Sequence, residues 1–457
     1  MKIAKTFSAI TAILLSGLIA PHVQAAFIFT NVVSFEETNG ASPQAVLLQG
    51  KDGNLYSTAF SGGPGDYLTN GTIFLLTPSG AFTNLIAFDG TNGAGPRAAL
   101  VQGTDGNFYG TTYNGGTNNA GTVFQFTTNG ALNTLVTLSF DIGSGALPLG
   151  GLVQSGDGSF YGTTVFGGTN NNGTIFKLAT NGTFASLVSF DNTNGASPYA
   201  GLVSAKDGSL YGTTYQGGTN GQGTIFKLTT NGTFSSLYSF TGTNDGGNPY
   251  AGLVQGRDGN LYGTTFYGGT NGNGTVFEFS TNGTLTTLVS FDGTNGANPQ
   301  AAVVQGSDGN LYGTTFSGGT SGDGTIFKLA TNGVLTTLVS FDGTNGAAPE
   351  AGLMQSADGN FYGTTTHGGT NGFGTVFRLG VIVPPPKFQT VARAGTTLTL
   401  NWSATVGQSY QMLFKTNLSQ TIWSNLNNSV TATNPVMTTL DATGLDRQRF
   451  YRILLLP

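Results

Sequence analysis

Acid–base catalysis needs titratable side chains held close together, and this sequence of 457 residues is poor in them. It has two histidines, His22 and His367, and four glutamates, Glu36, Glu37, Glu278 and Glu350. Aspartate is commoner, but much of it recurs in an Asp-Gly pair, at Asp52, Asp105, Asp157, Asp207, Asp258, Asp308 and Asp358. Asp-Gly between two alternating runs serves a tight hairpin, because glycine supplies the positive φ and aspartate bonds its own backbone. These carboxylates are read as turn-formers, and no copy is read as carrying a local carboxylate pair. No Gly-x-Ser-x-Gly elbow with a histidine partner is present. "GGTNGNG" (268–274) is followed by neither helix nor lysine, so it is not read as a phosphate cradle. "DGTNGA" (292–297) offers one carboxylate where a calcium loop supplies several oxygens, so neither metal nor cofactor is expected.

The elements that must position any site are repeats. The Asp-Gly pairs recur every 50 to 53 residues and divide residues 26–380 into seven copies. In the fifth copy, "AGLVQG" (251–256), "NLYGTTF" (260–266), "GTVFEFS" (274–280) and "TLTTLVSF" (284–291) alternate apolar and polar residues between turn signals. That is the strand period, so each copy is read as a four-stranded antiparallel sheet. The short turns fall at one end of such a sheet and the long loops at the other. Small residues after a proline begin each first strand, as a crowded axis requires. Tyr-Gly recurs in the second strand, with Tyr56-Ser57 the exception, and marks a close backbone approach.

Sheets repeated at this period imply an all-β, seven-bladed β-propeller. The phase of the repeat adds closure: "FTNVVSF" (29–35) is a lone fourth strand, and the seventh copy stops after its third, "GTVFRLG" (374–380). The N-terminal strand is therefore expected to complete the last blade. Beyond a proline-rich linker at 381–387, residues 388–457 hold both tryptophans, Trp402 and Trp423, and runs of period two. They read as a small antiparallel β-sandwich with both tryptophans in its core.

Two sets of positions break the sevenfold sameness, both on the long-loop face. The residue after each interblade proline runs Gln44, Arg97, Leu149, Tyr199, Tyr250, Gln300, Glu350. The second strands end on Phe60, Tyr113, Val165, Tyr215, Phe266, Phe316 and Thr366, each followed by a further variable residue, Tyr267 and His367 among them. Aromatic rings that stack and polar groups that orient suit a sugar or a polar peptide. The candidate ligand-binding set is Arg97, Tyr113, Tyr199, Tyr215, Tyr250, Tyr267, Glu350 and His367; no catalytic residue is assigned.

Residues 1–25 read as a Sec-type signal peptide, with Lys2 and Lys5 before the apolar "AITAILLSGLIA" (9–20) and a small-residue cleavage site after Ala25. An extracellular or cell-surface location follows, with no membrane span after signal cleavage. A net charge of −5 and 8% charged residues exclude a nucleic-acid footprint. Cysteine is absent, which removes disulfides and thiolate metal sites.

The repeated "DGNLYGTT..GGTNG.GTIFKL" core behind a signal peptide resembles the GloVer tandem-repeat family of exported bacterial proteins, also called choice-of-anchor repeats. The C-terminal segment ending "FYRILLLP" is similar to a small fibronectin-like domain. The resemblance implies export and a surface role and supplies no ligand. The first functional expectation is a non-enzymatic scaffold binding a glycan or a surface protein. The alternatives are a purely structural surface or matrix protein and a polysaccharide-degrading enzyme.

Overall fold

The computed structural model describes residues 26–456 apart from 65–69, 142, 180, 281, 383–384, 406–407 and 443–447. The expected signal peptide lies outside the described residues. The chain divides into two compact units, Phe27–Val381 and Ile382–Leu456. The only helix among the described residues is a 3-10 turn at Glu37–Asn39, and no helix there is long and apolar enough to cross a membrane.

The larger unit holds seven four-stranded antiparallel sheets, propeller-like in their repetition. The fifth comprises Val254–Gln255, Leu261–Thr265, Thr275–Phe279 and Leu285–Ser290. Burial does not follow simple alternation even in the last strand of the sheet, Leu285–Ser290, which is half-buried with Thr286 alone exposed. Leu261–Thr265 is buried throughout, because neighbouring sheets cover both of its faces. The innermost strand is two residues long where the sequence pattern suggested six. Its leading residues turn instead toward neighbouring backbones: a Cβ on Gly150 would lie 2.3 Å from the Gly201 amide nitrogen. The Tyr-Gly glycines have a different cause from the one expected. A Cβ at Gly263 would lie 2.5 Å from Phe277 Cζ, so a ring, not backbone, fills the space.

Threonines stitch neighbouring sheets together. Thr213 Oγ1 donates to the Ala251 carbonyl at 2.8 Å, Thr264 to Ala301 at 3.0 Å and Thr314 to Ala351 at 2.9 Å. The bond recurs from the last sheet to the first, where Thr364 donates to Ala45 at 3.5 Å. Inner-strand glutamines repeat the stitching on the short-turn side, as where the Ala357 amide donates to Gln49 Oε1 at 2.9 Å. Apolar clusters also straddle sheets: Leu47, Leu55 and Phe74 of the first pack with Phe35, Tyr362 and Val376 of the last. Strand Ala26–Ser34 pairs with Thr375–Ile382 and completes the seventh sheet as the repeat phase implied. Phe27 packs edge-on to Tyr312, and Phe29 packs on Phe341 and Phe377.

The smaller unit has two antiparallel sheets. One is Phe388–Ala394, Thr397–Ser403 and Val436–Ala442; the other pairs Ser409–Lys415 with Ser424–Asn425, Val430–Thr431 and Phe450–Leu455. Leu400, Trp402, Tyr410 and Met412 form their core, and Trp402 Nε1 donates to Thr439 at 3.0 Å. Trp423 is not in that core. It is half-buried under the Lys415 ammonium, 4.9 Å from its ring centroid, so the expectation of two core tryptophans holds for Trp402 alone. Strand Phe388–Ala394 is exposed along its whole length and therefore left no burial pattern to read.

Candidate functional site

A backbone kink brings the first variable set to the axis. The residue before six of the interblade prolines, Ser42, Leu147, Ser197, Asn248, Asn298 and Ala348, has φ between 52° and 56°. Gly95 takes the same place in the second copy with φ 61°. Leucine, serine and alanine are strained there, and the surrounding bonds must hold them. The Ser197 backbone N–H, for example, donates to the Asn172 carbonyl at 2.8 Å. Past the proline, Gln44, Arg97, Leu149, Tyr199, Tyr250, Gln300 and Glu350 converge on one cavity of about 190 Å³ whose remaining walls are alanine, glycine and valine.

One arc of that cavity is charged. Arg97 Nη2 lies 2.9 Å from Glu350 Oε2, with 23% and 15% of the two side chains exposed. Gln44 Nε2 makes a long 3.5 Å bond to the other Glu350 oxygen, and Gln44 Oε1 is buried without a partner. The Arg97 guanidinium also sits 5.4 Å over the Phe60 ring, which ends the second strand of the first sheet. One ion pair is the whole formal charge of the cavity wall.

The opposite arc is aromatic. Tyr199 and Tyr215 stack at 4.6 Å with a 6° interplanar angle, and Tyr250 stands against Tyr199 at 79°. Phe266 continues the arc beside Tyr250, and Tyr267 lies edge-on to Phe266 with 48% exposure. Burial raises the Tyr250 phenol above its ordinary value, Arg97 pulling it down and Glu350 pushing it up. Burial likewise raises Tyr199, followed by the nearby Tyr113. Both therefore stay protonated near neutrality and offer a hydroxyl that donates and accepts.

Six of the eight candidate residues thus gather around one opening: Arg97, Glu350, Tyr199 and Tyr250 line it, Tyr215 backs it and Tyr113 lies near Tyr199. Tyr267 is one ring further out. His367 is exposed, and its backbone bridges to Ala347 in the last sheet; among the described residues its side chain joins no cluster. Gln44 and Gln300 belong to the wall and were left out of the candidate set, although the same post-proline position identifies them.

The short-turn face holds the residue that sequence reasoning missed. Each turn aspartate accepts from the tyrosine of its sheet, as Asp157 does from Tyr161 at 2.8 Å. Lys177, Lys227 and Lys328 reach the same aspartates from the third strand. In the fifth sheet that third-strand position is Glu278, and Asn260 Nδ2 donates to both Asp258 and Glu278. A carboxylate pair therefore does exist, in a groove of about 410 Å³ that Arg257 and Tyr262 also line. The pair is hidden in sequence because its members are 20 residues apart and meet only through the Tyr262–Glu278 register. The signal was Glu278 itself, the one acid where the other copies carry Leu75, Gln125, Lys177, Lys227, Lys328 and Arg378.

Residues 21–208 and 200–422 match the Gloeobacter/Verrucomicrobia repeat. The chain belongs to that family. The two matches take in all seven sheets of this Gloeobacter/Verrucomicrobia repeat protein and reach into its smaller unit. No curated protein matches it. Among solved structures, the GH74 enzyme of Niastella koreensis is similar at 15% identity over 82% of this chain and 59% of that one, with a TM-score of 0.50. The periplasmic gluconolactonase PpgL of Pseudomonas aeruginosa covers 66% of this chain and 85% of its own at 18% identity and a TM-score of 0.45. A Bacteroides uniformis protein described as a 6-phosphogluconolactonase covers 71% and 96% at 16% identity and a TM-score of 0.39. At these identities the likeness concerns the propeller-like fold of the repeat protein and not its chemistry.

Proposed function

We propose that the seven sheets are the blades of one closed β-propeller, followed by a small fibronectin-like β-sandwich. The chain is exported through its N-terminal signal peptide and acts outside the cell as a non-enzymatic glycan-binding scaffold. The observation that carries the reading is the break in symmetry at the axis: tyrosines gather on one arc of the cavity and an Arg97–Glu350 pair on the other. Drift among equivalent positions would scatter such residues, whereas a site concentrates them. Stacking rings with neutral hydroxyls and amides is the chemistry that holds a sugar.

The experiment is a glycan array probed with purified residues 26–457 and with a variant carrying Arg97→Ala, Tyr199→Ala, Tyr250→Ala and Glu350→Ala. Binding by the first and loss in the second, at comparable melting temperatures, supports the reading; an empty array sinks it.

A second reading, a polysaccharide-degrading enzyme, has the Asp258–Glu278 pair in its favour. It calls for digestion products from a polymer panel that vanish with Glu278→Gln.

A further inference from the structure

The axial cavity is small. At about 190 Å³ it falls below the roughly 300–1,000 Å³ of pockets that take drug-sized ligands, and it matches a single sugar ring in scale. All seven sheets contribute to its wall, so a ligand has to enter along the axis and cannot pass through sideways. A chain interior, extended at both ends, does not fit that approach. A chain end does.

Charge narrows the class further. Arg97 and Glu350 cancel, and Gln44, Leu149, Tyr199, Tyr250 and Gln300 carry no charge at neutral pH. A charged ligand gives up its hydration to enter a wall of zero net charge, where attraction to one member of the Arg97–Glu350 pair is offset by repulsion from the other, so neither a carboxylate nor an ammonium is favoured. Hydroxyls meet unspent partners instead. Among the described residues the Arg97 guanidinium makes one hydrogen bond, to Glu350, and has five N–H donors in all. The Tyr199, Tyr250 and Gln300 side chains make no hydrogen bond to protein there, and Gln44 Oε1 is a buried acceptor with no partner. Donors and acceptors with free capacity thus line a ring-sized space beside a tyrosine face.

Resting on the glycan reading above, we propose that this cavity takes, end-on, the terminal neutral pyranose of a glycan. Its hydroxyls bridge Arg97, Glu350 and Gln44, and one ring face packs on Tyr199 or Tyr250.

The test is competition against a glycan captured on the array. The competitors are methyl glycosides of glucose, galactose and mannose, the corresponding hexuronic acids and hexosamines, and the captured glycan with its non-reducing end oxidised by periodate. One neutral glycoside should displace the protein at least about tenfold better than its uronic acid or its amine, and the oxidised glycan should not bind. Glu350→Gln leaves a net positive cavity and should turn the preference toward the uronic acid; Arg97→Gln should turn it toward the amine. Capture that prefers uronic acids or amines in the unmodified protein, or that survives end oxidation, overturns this inference and leaves glycan binding standing. No capture of any glycan overturns both. Melting curves of the two variants separate altered preference from lost fold.

Discussion

Arg97 and Glu350 are 253 residues apart in the chain and meet at 2.9 Å across the axis, with Gln44 of the first copy between them. Neither residue has a counterpart of its own type at the other post-proline positions.

This contact sets the first expectation. Removing Arg97 alone leaves a half-buried carboxylate unpaired, and removing both charges leaves none. Arg97→Met should cost about 1 kcal/mol, between the values for exposed and for buried pairs, and Glu350→Leu added to it should recover most of the loss. Urea denaturation in a double-mutant cycle measures this. Two additive losses would show the pair to be uncoupled.

Strand Ala26–Ser34 completes the last sheet, and Phe35 after it is fully buried between the first and last sheets, the contacts on which the proposed closure rests. Deleting residues 27–37 strips the last sheet of its outer strand and exposes Phe74 and Phe377. The truncated protein should aggregate or lose its cooperative thermal transition. An unchanged melting temperature would contradict closure by this strand.

Gly263 has no room for a side chain against Phe277 Cζ. Gly263→Ala should destabilise by about 1–3 kcal/mol, and Phe277→Leu should relieve part of that in the double variant. Calorimetry of the three variants decides it, and a neutral alanine would show that the ring can move away.

Glu278 occupies the position from which Lys177, Lys227 and Lys328 pair with their turn aspartates. Glu278→Lys should create the same pair with Asp258 and stabilise by about 0.5 kcal/mol. A destabilised variant would indicate that Glu278 has a partner of greater value than the lost repulsion.

Stability should be flat across neutral pH and fall at both extremes. Burial works to raise Asp207, but bonds from Lys227, the Ser209 amide and Tyr211 outweigh it and hold the carboxyl at about 2, below its ordinary 3.8. A folded value below the unfolded one means a contribution that is complete above about pH 4 and is lost as pH falls toward 2. Burial, then bonding to Asp52 and Asp105, pushes Tyr56 and Tyr109 from 10.0 up to about 12. Their contribution is complete below pH 10 and is lost as pH rises through 12. Urea midpoints against pH test both limbs, and Tyr56→Phe with Tyr109→Phe should flatten the alkaline one.

Much of this architecture was legible because repetition multiplies weak signals. One Asp-Gly turn or one alternating run is ambiguous, but seven in phase place the strands, the turns and the strand that completes the last sheet. Strand Phe388–Ala394, unrepeated and exposed, gave no such signal. The candidate residues were legible by the same logic in reverse, as positions where the copies disagree.

Local sequence determined the sheets, since turn chemistry and period-two alternation act over a few residues. Tertiary structure alone decided which variable residues meet. Tyr199 faces Tyr250, Arg97 pairs with Glu350, and Glu278 joins Asp258, while among the described residues His367 joins no cluster. Those outcomes depend on the curvature that bends successive sheets around an axis and on registers set between strands. Side-chain distances between sheets are a property of how the sheets pack and are not encoded in any one repeat.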